Sequence, residues 1–226
     1  MPAAGADFDH PIFRESLRMI RAMPGMTSTL VPLSAVQQDV VLRLIHSSGD
    51  PQLAGEVRFA PGACEAGLAA LVAGAPILTD TAMAAAAVAP MARRTFGNRV
   101  RSVLDWAPAV APAGSTRAAA GMAAALVQGG SDRQPGGAPV VLIGSAPTAL
   151  EVLLENVAAG VVAAPALVIG MPVGFVGVAE SKRHLAASGL VHIRLEGSKG
   201  GAGLVAAACN ALLRAAWLQA ASAPSC

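Results

Sequence analysis

Histidine is the side chain best suited to moving protons near neutral pH, and this chain has four. His46 stands in the stretch "VVLRLIHSSGD", residues 40–50. The apolar residues before it recur at helical spacing, with Ser34 as the N-cap and Gly49 as the stop, so the pattern predicts His46 in the last turn of a helix. Its side chain would point away from the apolar face of that helix. From this stretch alone, His46 either faces a partner outside the core or is a surface histidine that closes the helix.

The predicted place of His46 also bears on its proton affinity. The carbonyl groups at a helix C-terminus favour a positive charge by about 0.3–1 kcal/mol. We therefore expect the helix end to raise the pKa of His46 and to favour the imidazolium.

The other histidines and the cysteines do not indicate a metal or redox centre. They are His10, His184, His192, Cys64, Cys209 and Cys226. No H-x-x-x-H, H-E-x-x-H or C-x-x-C spacing occurs among them, which leaves a protein-bound metal without support. We expect reduced thiols, no metal and no cofactor.

Composition limits the kind of partner. A net charge of +2 is too small for a nucleic-acid-binding surface, and no basic cluster is interleaved with aromatic residues.

Charged residues make up 13% of the chain, against about a quarter in ordinary soluble proteins, so a membrane or a large buried interface has to be considered. The longest uncharged run, 156–179, contains Pro165 and Pro172. These prolines favour a strand and a turn over a membrane-spanning helix. The N-terminus has neither a basic start nor an apolar core, so we expect a cytoplasmic protein with a small-molecule partner.

The order of apolar runs predicts an α/β fold. After an N-terminal helical pair in 10–23 and 34–48, six short runs bounded by Gly, Pro or Asp alternate with Ala-rich helical segments. The runs are 55–60, 75–80, 98–105, 138–145, 165–172 and 190–197, and the helical segments are 63–73, 81–89, 116–128, 148–159, 178–187 and 204–219. This alternation predicts one three-layer domain over residues 1–226, with a mostly parallel sheet covered by helices on both faces. Residues 131–137 are expected to form a surface loop and 220–226 a loose tail.

Unusual residues follow several predicted strands. They are Thr79 and Asp80, then the segments 144–148, 170–175 and 196–201, which are rich in glycine. In open α/β sheets, ligands bind beyond the carboxyl ends of the strands, and a turn leading into a helix offers N–H groups to anions. Carboxylates or phosphates would suit these turns, although ordinary strand-to-helix turns are the alternative for each. No glycine-rich nucleotide motif is present.

Six segments together resemble one known family. In chain order they are "RLIHSSGD", "AGAPILTD", "STRAAAG", "VLIGSAPTALEVLLE", "VIGMPVGFVGVAESK" and "KGGAGLVAAACNAL". From about Pro11 to Leu213 the chain resembles the precorrin-8X methylmutases of corrin (vitamin B12) biosynthesis. The resemblance implies a cofactor-independent isomerase that moves a methyl group at ring C of a polycarboxylated tetrapyrrole. The product would be hydrogenobyrinate from precorrin-8X, or cobyrinate from cobalt-precorrin-8. It also implies a homodimer with active sites near the subunit interface.

The resemblance assigns roles to individual residues. His46 matches the family histidine that donates a proton to a ring nitrogen, and Ser16 matches a family serine near the ligand. Arg117 is a candidate clamp for a peripheral carboxylate, with Thr116 and Ser115 as neutral donors, and an exposed arginine on the first turn of a helix is the alternative. Further substrate contacts are expected from Ser145 and Thr148, which could also cap their helix, and from Lys182 and Lys199, which could attract carboxylates or be solvated surface charges. Contacts are also expected from Thr79, Asp80, Pro172, Val173 and Gly174.

The match is incomplete, and two other functions remain open. Ser115 stands where the family usually has Asn, Ser198 where it has Arg, and the run 83–90 where it has a Gly. One alternative is a non-catalytic corrinoid-binding protein that sequesters the product, against which the intact His46 argues. The other is a nucleotide or flavin binder of flavodoxin-like shape, which only fold analogy supports.

Overall fold

The N-terminal part of the chain is helical. The computed structural model describes residues 8–131 and 137–222. Four helices come first: α1 (Pro11–Arg21), α2 (Met26–Leu30), α3 (Ala35–Ser48) and α4 (Leu53–Glu56). The side chain of Ser34 accepts from the Gln37 N–H while the Gln37 side chain accepts from the Ser34 N–H, and Gly49 ends α3 at φ 70°. The predicted helical pair and both boundaries of α3 are confirmed.

Within the described residues, six strands form one sheet, as the alternating pattern predicted. They are β1 (Val57–Phe59), β2 (Ile77–Thr79), β3 (Val100–Ser102), β4 (Val140–Ile143), β5 (Leu167–Gly170) and β6 (His192–Leu195). Their spatial order is β1-β6-β5-β4-β2-β3, with β1 antiparallel to β6 and all other pairs parallel. The connecting elements are α5 (Ala63–Val72), α6 (Ala82–Arg94), a 3-10 turn (Val103–Asp105), α7 (Arg117–Ser131), α8 (Pro147–Ala158), α9 (Val178–Ala187) and α10 (Ala202–Ser222).

The central strands separate two hydrophobic cores. Along β4, Val140 and Leu142 pack on the side of α3, α5, α6 and α10, whereas Val141 and Ile143 pack on the side of α7, α8 and α9. All four side chains are fully buried, which is why this strand reads as a continuous apolar run. The arrangement is the predicted α/β domain with a helical layer on each face of a mostly parallel sheet.

Helix α10 is the centre of the first core. By length and composition alone it could cross a membrane, yet it packs against α3, α5 and α6, and most of its apolar window is buried. Its last turn includes residues 220–222, so the predicted loose tail is wrong for those three. Residues 223–226, and 132–136 of the predicted surface loop, lie outside the described residues.

An ionic cluster ties α10 to the N-terminal helices. The Arg214 Nε donates to both carboxylate oxygens of Asp9 at 2.8 and 2.9 Å, and its Nη1 donates to Asp39 in α3 at 3.0 Å. These groups are largely buried, and the bonds to Asp9 and Asp39 raise the pKa of Arg214. The helix that fills the core therefore also fixes the layer that carries His46.

Candidate active site

His46 lies in the last turn of α3, exposed beside a groove between α1 and the end of α3. The groove has a volume of about 560 Å³. Its walls are mainly apolar and include Ile12, Met19, Met23 and Pro51, with Ser16 and Glu15 among its few polar side chains. A mainly apolar concavity with a few polar side chains is typical of a small-molecule binding site.

Ser16 orients the imidazole. The Ser16 Oγ lies 2.7 Å from His46 Nδ1, and the ring of Phe13 meets the imidazole edge-on at 5.0 Å. When His46 is neutral and Ser16 donates to Nδ1, the ring proton is on Nε2. When His46 is protonated, Nδ1–H donates to Ser16 and Nε2–H is still available. The protonated ring therefore keeps Nε2–H available to a ligand, and the neutral ring does so in the tautomer whose Nδ1 accepts from Ser16.

The proton affinity of His46 differs from the expectation. Partial burial, followed by the positive charge of Arg43 one helical turn earlier, lowers the pKa of His46 below its ordinary value. The Arg43 guanidinium is held over the Phe13 ring at 4.5 Å. This direction is opposite to the increase expected from the helix C-terminus, and its causes are burial and the charge of Arg43.

At the carboxyl ends of the strands, Asp80 holds the turn between β4 and α8. Its Oδ2 accepts from the backbone N–H groups of Gly144, Ser145 and Ala146 at 3.1, 2.6 and 2.9 Å. The side chain is fully buried, which raises the pKa of Asp80, while the three N–H bonds oppose that increase. The N–H groups of this turn, expected to meet a substrate anion, are thus occupied by an anion of the protein itself.

Two further expectations fail at this turn. The N-cap of α8 is Ala146, and no side chain caps the helix there, so Ser145 and Thr148 are not its caps. Thr79 is fully buried, and its hydroxyl donates to the Thr81 carbonyl at 2.8 Å. Thr79 and Asp80 have no exposed surface for a direct substrate contact, so the predicted contacts are replaced by support of the turn.

Next to this turn the structure brings together Thr116, Arg117 and Thr148. The hydroxyls of Thr116 and Thr148 lie 2.7 Å apart, and Thr116 also accepts from the Ala119 N–H at the start of α7. The Arg117 Nε donates to the Pro108 carbonyl at 2.9 Å. This bond orients an exposed guanidinium whose Nη groups make no hydrogen bond within residues 8–131 and 137–222. Exposed Ser115 precedes this group, which is suited to binding a carboxylate.

The loop after β5 presents apolar side chains to the surface. Val173, Phe175 and Val176 are 47%, 92% and 90% exposed, whereas Pro172 is buried. The Gly174 N–H donates to the Ser198 carbonyl at 3.1 Å, which joins this loop to the loop before α10. An exposed apolar loop at the ligand-binding edge of the sheet is suited to contact with a ligand or a second chain.

The two predicted carboxylate-binding lysines have other partners. Lys182 is 2% exposed, and its Nζ donates to the carbonyls of Gly197 and Lys199 at 2.8 and 2.6 Å. Burial lowers the pKa of Lys182 to about 8. The Lys199 Nζ binds Asp50 and Glu56, whose carboxylates raise its pKa. Because the Lys182 ammonium is enclosed by backbone, this arrangement does not support the predicted contact with a substrate carboxylate.

The candidate residues form two groups on different layers. His46 and Ser16 lie on the side of α10, and Thr116, Arg117 and Thr148 lie at the start of the α7 and α8 layer. No hydrogen bond joins the two groups in the described part of the chain. Among those residues no grouping of three or more His, Cys, Asp or Glu side chains could hold a metal ion.

Comparisons with known proteins identify the family of this chain. The family model for Precorrin-8X methylmutase matches residues 11–215. The chain belongs to this family. It is 42% identical over 206 residues to the Precorrin-8X methylmutase of Pseudomonas aeruginosa, covering 89% of this chain and 93% of the relative. It is 35% identical over 223 residues to the Cobalt-precorrin-8 methylmutase of Synechocystis, covering 92% and 97%. A solved precorrin-8X methylmutase structure from Thermus thermophilus aligns with a TM-score of 0.78 and 40% identity over 95% of this chain and 98% of that one.

Precorrin-8X methylmutases are isomerases of cobalamin biosynthesis, so the groove and the exposed arginine belong to a chain whose family moves a methyl group. Two neighbours of His46 were absent from the sequence prediction. Arg43 precedes His46 by three residues on the same helix, a spacing that the sequence contains. Phe13 could not be found this way, because its contact depends on how α1 packs on α3.

Replacing Asp80 tests the turn it holds. Asp80→Ala leaves three N–H groups in a buried turn without an acceptor, so we expect the free energy of unfolding to fall by about 3 kcal/mol or more. Asp80→Asn keeps an acceptor oxygen but loses the charge, and should cost about 1–2 kcal/mol. Urea denaturation measures both. Asp105→Ala, which breaks an exposed pair with Arg101, is the control and should cost at most about 1 kcal/mol. A comparably small loss for Asp80→Ala would contradict this role.

Proposed function

We propose that this chain catalyses methyl migration at ring C, converting precorrin-8X to hydrogenobyrinate or cobalt-precorrin-8 to cobyrinate. The observation that carries the proposal is the pair of Ser16 and His46 beside an apolar groove, with Nε2–H as the available donor. Protonation of a ring nitrogen draws electron density from the conjugated system and lowers the barrier to a sigmatropic shift. The proton returns to His46 once the methyl group has moved, so the product is an isomer of the substrate.

Binding of the substrate is divided between the two groups of residues. The side chains of Ile12, Met19 and Met23 supply an apolar wall for the macrocycle, consistent with an aromatic content of 3% and no tyrosine. We assign the grip on peripheral carboxylates to Arg117, with neutral donors from Ser115, Thr116, Ser145 and Thr148. The loop Pro172–Gly174 would contact the macrocycle edge through apolar side chains and backbone. The bound carboxylates favour the protonated form of His46 and offset the effect of Arg43.

We also propose a cytoplasmic homodimer, without a nucleic-acid or membrane partner. The exposed Val173, Phe175 and Val176 lie at the carboxyl ends of the strands, where the substrate is expected to bind. A second copy covering this loop would bury the apolar surface and enclose the ligand. The alternative of a non-catalytic corrinoid-binding protein is not favoured, because the relatives are named as methylmutases and His46 is in place.

The deciding experiment compares turnover of precorrin-8X and cobalt-precorrin-8 by the purified protein, followed by absorbance. Turnover of at least one substrate supports the proposed isomerase, and the preferred one identifies its metal state. Binding of both compounds without conversion of either would favour the corrinoid-binding alternative.

The first prediction of this proposal concerns His46. His46→Ala and His46→Asn should both lower kcat by roughly 100- to 10,000-fold, the usual contribution of general acid catalysis, while product affinity stays within twofold. Asparagine keeps a polar group but cannot donate a proton in this way. Single-turnover absorbance and product titration measure the two quantities. Ser47→Ala, an exposed neighbour on the same helix, is the control and should retain the parent rate. A rate within a few-fold of the parent in either His46 variant would exclude His46 as the acid.

A second prediction concerns pH. Because the acid must be protonated, kcat/KM should fall as pH rises through the pKa of free His46, which burial and Arg43 place below the ordinary histidine value. The profile of kcat should fall at a higher pH, since bound carboxylates raise that pKa. Arg43→Met should move the kcat/KM profile to higher pH, whereas Arg183→Met, which breaks an exposed pair with Glu180, should not. A profile unaffected by Arg43→Met would show that its charge does not act on His46.

A third prediction concerns assembly. Sedimentation at micromolar concentration should show a dimer rather than the 22.4 kDa chain. Phe175→Asp should shift the equilibrium towards the monomer, because it places a charge in the proposed interface. Val161→Asp, at another exposed apolar residue outside the carboxyl-end loops, should leave the dimer intact. A monomeric parent protein would contradict the proposed assembly.

A further inference from the structure

Lys199 joins the loop before α10 to the segment that follows α3. Its Nζ lies 2.8 Å from Asp50 Oδ2, 3.0 Å from Gln52 Oε1 and 2.9 Å from Glu56 Oε1. An ammonium group has three N–H donors, and three protein acceptors are within reach of this one. The ion therefore has its full set of partners before any substrate carboxylate arrives.

The backbone that carries Lys199 is fixed from the other side. Buried Lys182, in α9, donates to the carbonyls of Gly197 and Lys199. At Gly200 a Cβ atom would lie 2.0 Å from the Met171 carbonyl oxygen, so the loop packs directly against the end of β5. The backbone around Lys199 is held in place. The side chain of Lys199 therefore fixes the residues that it binds relative to this loop.

Asp50 lies four residues after His46. Gly49 turns the chain out of α3, and the Asp50 N–H donates to the Ser48 hydroxyl at 3.1 Å, which connects Asp50 closely to the last turn of the helix. Holding Asp50 therefore fixes the end of α3 that carries the imidazole. The same loop lies beside Gly174, whose N–H donates to the Ser198 carbonyl.

We propose that Lys199 is a positioning residue that sets His46 relative to the carboxyl ends of the strands and does not itself bind a substrate carboxylate. The proposal rests on the proposed role of His46 as the acid. Misplacement of a catalytic group by about 1 Å can reduce the rate by about 100-fold, so the loss of this contact should act on kcat.

Steady-state kinetics and product titration separate positioning from binding. Lys199→Met keeps most of the stem but removes the charge, and Asp50→Asn removes the partner charge. We expect each to lower kcat by roughly 10- to 100-fold, with KM and product Kd within twofold of the parent. Lys199→Arg should restore most of kcat because arginine can still bind both carboxylates. The double variant should be no slower than the slower single variant, since both changes remove one contact.

Two outcomes would overturn the proposal. A tenfold weaker product Kd with unchanged kcat in Lys199→Met, absent from Asp50→Asn, would show that Lys199 binds the ligand. A kcat within twofold of the parent in both variants would show that the contact does not position the acid. Arg183→Met, an exposed change on α9, is the control for charge loss.

A substrate-free measurement separates this inference from the proposed reaction. The ring signals of His46, read by NMR on the parent and on Lys199→Met, should differ if the contact sets the imidazole. Failure of the parent to convert either substrate would contradict the proposed function alone. Unchanged ring signals would overturn the positioning role whatever the activity.

Discussion

The structure at the carboxyl ends of the strands depends on the hydrogen bonds that the Asp80 carboxylate accepts. A parallel sheet brings several strand ends to one edge, where the chain must turn and backbone N–H groups lose their strand partners. By accepting three of these N–H bonds at once, Asp80 fixes the turn that leads from β4 into α8. Thr148, in the first turn of α8, then meets Thr116 at the start of α7. Arg117 follows Thr116 directly in the chain, and its guanidinium is oriented by the Pro108 carbonyl.

The residues around His46, on the layer of α1 and α3, are held by side-chain packing and charge. The turn at Asp80 is held by backbone hydrogen bonds. His46 is held by the Ser16 hydroxyl and the Phe13 ring, and Phe13 in turn lies beneath the Arg43 guanidinium. Arg43 therefore has two effects that oppose each other chemically: it supports the packing of the imidazole and disfavours its charged form. A lowered pKa makes the imidazolium a stronger acid, while a bound polyanion increases its population.

Local signals predicted much of this molecule. The limits of α3 follow from Ser34 and Gly49, and the alternation of apolar runs gave the order of strands and helices because each element's pattern depends on its own neighbours. The burial and the hydrogen-bond partners of Lys182 and Asp80 could not be predicted in the same way. Their burial depends on residues far away in sequence, so a lysine in α9 and an aspartate at the end of β2 resemble ligand-binding groups until their surroundings are known. Composition likewise could not separate α10, a core helix, from a membrane-spanning one.

Because α10 packs against the helix that carries His46, the order of synthesis determines when the surroundings of His46 can form. The contact of Lys199 with Asp50 spans 149 residues, and that of Arg214 with Asp9 spans 205. Closing contacts of such sequence separation is slow and comes late in folding. As the chain leaves the ribosome, the helix bearing His46 emerges well before its packing partner α10. His46 should therefore acquire its final surroundings only after α10 has been made, and a nascent chain stalled before α10 would hold an unformed site.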